Sequence, residues 1–120
     1  MLNDAYCFKK VYLAVGSTDL RKGIDGLAGI IKFQFDLDPY DKDTLFLFCG
    51  KKPDRIKGLL WEGDGFLLLY KRINIGTFKW PRSESEAMEI TREQYQNLMQ
   101  GFEIIAKRPI VVLDNPPKSM

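Results

Sequence analysis

Histidine is absent from the 120 residues. Its absence excludes Ser-His and Cys-His nucleophile pairs, the usual near-neutral acid/base side chain, and most zinc sites. Cysteine is scarce as well. Cys7 and Cys49 stand alone with no C-x-x-C spacing, so a buried reduced thiol is the simple reading, set against a disulfide or a reactive thiol. No apolar run approaches the roughly 18–20 residues that span a bilayer. The opening Met-Leu-Asn-Asp-Ala-Tyr has no basic stretch leading into an apolar segment, which places the expected address in the cytoplasm. Gly23, Gly26 and Gly29 are not joined by a Lys-Ser/Thr pair or a dinucleotide fingerprint, so neither a phosphate-binding glycine loop nor a cofactor is expected.

The residues that are present suit one folded domain: 45% are hydrophobic and 28% charged. The expected division is a single α+β domain over 1–108, with 109–120 left for an edge strand at Ile110-Val-Val-Leu113 and a frayed tail. The net charge of +2 hides a segregated pattern. Residues 1–44 hold six basic and seven acidic side chains, and 83–120 hold four and six. The middle third, 45–82, holds eight basic groups against Asp54, Glu62 and Asp64. Such a local excess matters to a polyanion even where the net charge does not.

Lys10-Val-Tyr-Leu-Ala-Val15 reads as a strand stopped by Gly16. Leu20, Ile24, Leu27 and Ile31 then fall at helical spacing, predicting a helix over 18–34 whose three glycines form a flat strip for close approach to a sheet. Thr44-Leu-Phe-Leu-Phe-Cys49 lacks clean alternation, which predicts a central strand buried on both faces. Arg55–Glu62 and Phe66–Arg72 read as a hairpin about Asp64-Gly65, a two-residue turn with positive φ at both positions. Thr77-Phe-Lys-Trp80 reads as the third strand of that meander. Thr91 and Gln94 fit a capping box opening a second helix over 91–105, with Ile90 and Tyr95 as its hydrophobic staple. The predicted fold is α+β, a mostly antiparallel sheet of four or five strands covered by two helices.

With Asp64-Gly65 as the loop, Trp61 pairs with Leu68, Leu59 with Tyr70, and Lys57 with Arg72. Period-two alternation places these on one face, with Arg55 and Phe66 beyond them. Two readings of that face stay open. It is a nucleic-acid surface, where cations meet phosphates and aromatics stack on bases, or it is an ordinary solvated sheet face, with Lys and Arg stems lying over Trp61 and Tyr70. A nuclease would need grouped carboxylates, yet Asp64 fits its turn, Asp19 a helix start and Asp25 an exposed helix face.

The run Val11 to Leu27, with Thr18-Asp-Leu-Arg-Lys-Gly23 at its centre, resembles the opening of the accessory protein (TnpB type) of the insertion sequence 66 transposon family. So do Asp54-Arg-Ile-Lys57, Leu60-Trp61, Tyr70-Lys-Arg72 and Phe78-Lys-Trp-Pro81, and Thr91 to Gly101 looks like the family's closing helix. Gly58 and Leu69 depart from the family's pattern. The resemblance implies a small protein encoded beside a separate, larger transposase and needed for efficient movement of the element. Combined with the basic hairpin, it yields the expectation of a non-catalytic accessory factor that binds DNA through Lys51, Lys52, Arg55, Lys57, Lys71, Arg72 and Lys79, with Trp61 and Tyr70 supporting or stacking. The alternative is an adaptor for the transposase or host factors without DNA contact. The resemblance includes Arg21 and Lys22 in its motif without giving them a role.

Overall fold

A computed structural model describes residues 8–83 and 86–104. Five strands form one sheet: β1 (Lys10–Ala14), β2 (Thr44–Cys49), β3 (Arg55–Trp61), β4 (Phe66–Arg72) and β5 (Ala87–Ile90), in the spatial order β4-β3-β2-β1-β5. The fold is α+β, as expected, and β2 is the central strand, buried along its whole length. The meander is made by β2, β3 and β4, while β1 runs parallel to β2 and antiparallel to β5. The expected edge strand at 110–113 and the tail lie outside the described residues, as does Cys7.

The crossover from β1 to β2 carries helix α1 (Ile24–Gly29) and a π-helical turn over Ile30–Gln34. The helix therefore starts six residues later than its apolar spacing predicts. Asp19 accounts for the delay: its carboxylate accepts the Arg21 backbone N–H at 3.0 Å and the Arg21 guanidinium at 2.9 Å. Such a local side-chain turn competes with helical hydrogen bonding. The glycine strip does not face the sheet either. A Cβ built at Gly23 or Gly29 meets nothing within 4 Å, and one at Gly26 meets only Lys22. Leu27 and Ile31, both fully buried, make the contact instead.

Helix α2 (Arg92–Met99) opens as its sequence indicates. Gln94 N–H donates to Thr91 Oγ1 at 3.1 Å, and Thr91 N–H donates back to Gln94 Oε1 at 2.8 Å. It ends earlier than expected because Gly101, at φ +88°, reverses the chain. The Gly101 and Phe102 N–H groups return to Leu98 and Asn97 carbonyls, a closed C-terminal motif that glycine favours.

The two helices cover opposite faces. On one side Val11, Leu13, Leu45, Leu47, Ile56 and Ile90 meet Tyr95 and Leu98 of α2. On the other, Ala14, Phe46, Phe48 and Leu59 meet Leu27 and Ile31. Residues 77–80 are not a strand. They cross the α2 side, with Phe78 N–H bonded to Pro53 O at 2.7 Å and Trp80 Nε1 donating to Ala14 O at 2.9 Å. Trp80 is buried in the core on that side, and the edge beside β1 is taken by β5 from Ala87.

The β3–β4 hairpin pairs Trp61 with Phe66, Lys57 with Tyr70 and Arg55 with Arg72. The register is thus two residues from the expected one. The loop is Glu62-Gly-Asp-Gly65, closed by Glu62 N–H to Gly65 O at 2.9 Å, and positive φ falls at Gly63 (+96°), not at Asp64 or Gly65. A slip of two preserves side-chain parity, so the expected set of residues still shares one face. That face is nevertheless not open, because Leu59 at its middle is buried in the core with Leu27 and Ile31, and the half-buried Leu68 and Phe66 pack against the same cluster.

Candidate nucleic-acid interface

Because β1 and β2 are parallel and adjacent, the chain leaves both at the same end of the sheet. The loop after β1 (residues 15–23) and the loop after β2 (50–54) therefore face each other, with the start of β3 and the end of β4 alongside. Thr18 N–H donates to Cys49 O at 2.8 Å, and Gly16 N–H donates to Pro81 O at 2.9 Å. Arg82 crosses the junction: Nη1 bonds Gly16 O at 3.1 Å and Nη2 bonds Gly50 O at 2.8 Å. One planar guanidinium thus holds both loops, a geometry that a point-charge ammonium does not reproduce.

Between the loops lies a cleft of about 600 Å³ lined by residues 17–21 and 50–52 together with Arg55 and Tyr70. Its cations are Arg21, Lys51, Lys52 and Arg55. Arg55 is fixed by Asp54 at 2.9 Å, and Arg21, almost wholly exposed, by Asp19 at the same distance. The Arg21 guanidinium pulls the Asp19 carboxyl down to about 2, and hydrogen bonding from Arg55 likewise lowers Asp54. Both carboxylates therefore act as fixed anions that orient arginines. Lys51 and Lys52 are exposed and make no ion pair within 4.0 Å among the described residues.

Lys57 adjoins this group. Its Nζ donates to Lys22 O at 3.0 Å and sits 5.8 Å from the Tyr70 ring centroid, tying the hairpin to the loop that precedes α1. Arg72 stands directly opposite Arg55, a like-charge pairing that costs stability in a free sheet. Counting Lys22 and Arg82, eight cationic side chains stand with Asp19 and Asp54 at this end of the molecule.

Of the nine residues expected from sequence to touch nucleic acid, Lys51, Lys52, Arg55 and Tyr70 line the cleft, and Lys57 and Arg72 adjoin it. Three do not join them. Trp61 lies at the far end of β3, roughly 20 Å away along the strand, in an aromatic cluster with Tyr40 and Phe66 at centroid distances of 5.0 and 4.9 Å. Lys71 alternates to the α2 face with Ile56, and Lys79 lies beside Glu103 and Ile104 past the end of α2. Sequence reasoning missed Arg82 as an organising residue and Arg21 as a cleft residue. The signal for Arg21 was the Thr-Asp-Leu-Arg-Lys-Gly run itself, but only the parallel pairing of β1 and β2 brings that run to Lys51 and Lys52.

The acids weighed as a metal-dependent centre are dispersed. Asp19 and Asp54 are held by arginines, Glu62 and Asp64 sit at the hairpin tip, and no group of three or more potential metal ligands occurs among the described residues. Cys49 is a buried free thiol, pushed up to about 11 by burial, with Arg82 partly opposing the shift. No helix among the described residues is long and apolar enough to cross a membrane.

Comparison with known proteins agrees with the sequence resemblance. The model of the IS66 Orf2-like protein family matches residues 9–109. Two proteins of Sinorhizobium fredii (strain NBRC 101917 / NGR234) are similar over 94 residues, or 78% of this chain. The uncharacterized protein y4hO is 34% identical, with 81% of its length covered, and the uncharacterized protein y4jC is 29% identical, with 80% covered. No solved structure matches the chain.

Proposed function

The chain belongs to the IS66 Orf2-like family of transposition-associated accessory proteins, and from that premise we propose that it is a non-catalytic factor that binds DNA phosphates in the cleft between the β1 and β2 loops. The observation that carries the reading is the placement of Thr18 to Arg21 against Lys51, Lys52 and Arg55. A sheet end needs no such concentration of like charge for packing. Two arginines are pre-oriented by carboxylates, which lessens the rotamer entropy lost when they grip an anion. Lys51 and Lys52 supply mobile charge on the lip, while Lys57 and Arg72 extend the field along the hairpin.

The test is fluorescence anisotropy on labelled DNA at several salt concentrations. If about three to five phosphates are engaged on duplex, log K falls against log salt with a slope of about −3 to −4.5. Lys51→Glu combined with Lys52→Glu flattens that slope by about two units and weakens all sequences alike, because phosphate contacts carry little sequence information. Absence of binding at low salt would favour the adaptor role, in which the same charges meet an acidic face of the transposase. Binding unaffected by the double reversal would move the site elsewhere.

A further inference from the structure

The shape of the cleft says more than its charge. A surface meant only for the phosphates of a duplex can be a flat basic strip, whereas this one is an open cleft of about 600 Å³. That is room for one planar group laid against a wall while its flanks stay in solvent. Its walls are not only ionic. Leu20 contributes an apolar side chain, and Tyr70, 54% exposed, supplies an aromatic one. Lys57 sits against that ring yet does not line the cleft, so the ring is braced from outside it. Arg21 lies on one lip and Lys51 and Lys52 on the other.

We propose that this recess receives one unpaired nucleotide of a DNA strand, its base stacked on Tyr70 and its flanking phosphates held by Arg21 on one side and Lys51 and Lys52 on the other. The inference rests on the DNA-binding reading above and narrows it to the class of substrate: single-stranded, overhanging or frayed DNA. Bases in an intact duplex are stacked inside and present only edges, so filling such a recess from a duplex requires flipping a nucleotide out. A free strand offers its π-faces directly, and stacking on an exposed aromatic tolerates any sequence.

The experiment uses the full chain and three labelled oligonucleotides of one sequence: single strand, blunt duplex, and duplex with a single-stranded overhang. The single strand and the overhang bind more tightly than the blunt duplex. Tyr70→Ala weakens strand binding roughly 5- to 150-fold, the range expected for loss of one base–aromatic stack, and leaves blunt-duplex affinity nearly unchanged. Tyr70→Phe keeps the ring and the strand preference, and circular dichroism of both variants checks folding. Equal affinity for strand and blunt duplex, or a Tyr70→Ala variant that weakens neither, would overturn the inference while leaving phosphate binding intact. Binding of none of the three would overturn both. Free deoxyadenosine monophosphate captured more tightly than the strand would also overturn it, assigning the recess to a soluble nucleotide.

Discussion

Replacing Arg82 by Met tests whether one side chain holds the cleft together. Arg82 donates to Gly16 O at 3.1 Å and to Gly50 O at 2.8 Å, with longer contacts to Lys51 O at 3.4 Å and Cys49 Sγ at 3.7 Å. Hydrogen bonds from a charged donor contribute about 1.5–3 kcal/mol each where water is excluded. Arg82 is exposed on its outer side, so water re-satisfies much of what Met leaves, and about 1–2 kcal/mol is a fair total for the pair. With an unfolding entropy of roughly 2.1 cal/mol/K per residue over this chain, the midpoint falls by about 4–8 °C. Differential scanning calorimetry reads that shift, and amide exchange locates it. Exchange should rise at Thr18, whose N–H bonds Cys49 O, and at Gly16, whose N–H bonds Pro81 O. Arg82→Lys separates geometry from charge: an ammonium cannot bridge both loops, so it restores well under half of the loss. A Met variant with an unchanged midpoint, or a Lys variant equal to wild type, would refute the reasoning.

Three further outcomes follow from individual residues. Gly63 holds φ +96° whereas Gly65 has open space and no positive φ, so Gly63→Ala costs about 1–3 kcal/mol in urea unfolding and Gly65→Ala much less. Equal effects would place the turn wrongly. Thr44 Oγ1 is buried without a hydrogen-bond partner among the described residues, so Thr44→Val raises stability by about 1 kcal/mol, and a loss of that size would mean the hydroxyl is satisfied. In a Cys7→Ser chain, the remaining thiol of Cys49 resists iodoacetamide at pH 8 when folded and reacts in denaturant. Because burial raises it from 9.0 to about 11, its share of stability is complete below pH 9 and is lost as pH rises through about 11, a decline that pH-dependent unfolding detects.

How much of this molecule was legible beforehand depended on whether local chemistry or chain topology decided the outcome. The unbroken apolar run of β2 announced a strand covered on both sides, and Thr91 with Gln94 marked the start of α2, because each signal is complete within a few residues. The hairpin's face parity was readable for the same reason, while its register was not: Glu62-Gly-Asp-Gly65 contains two glycines, and either can take the positive φ that closes a turn. Strand β5 was hidden because Ala87-Met-Glu-Ile90 is short and follows the acidic run from Ser83 to Glu86. The candidate site was half legible. Charge clustering singled out Lys51, Lys52 and Arg55, but which cations meet depended on pairings distant in sequence. Parallel pairing of β1 with β2 brought Arg21 into the cleft, and α1 covered the middle of the hairpin surface; strand length put Trp61 at its far end, alternation turned Lys71 to the α2 face, and the non-strand course of 77–80 carried Lys79 past the end of α2.

The most direct test of the central claim is an ¹⁵N–¹H correlation spectrum of the full chain titrated with a short DNA strand at low salt. The account predicts that amide shifts concentrate at residues 17–22 and 50–52, with Arg55 and Tyr70 following, and that raising salt reverses them together. Amides of α2 and those around Lys79 stay in place. Shifts centred on α2, on Lys79 or on the Tyr40–Trp61–Phe66 cluster, or a spectrum that DNA does not move at all, would contradict it.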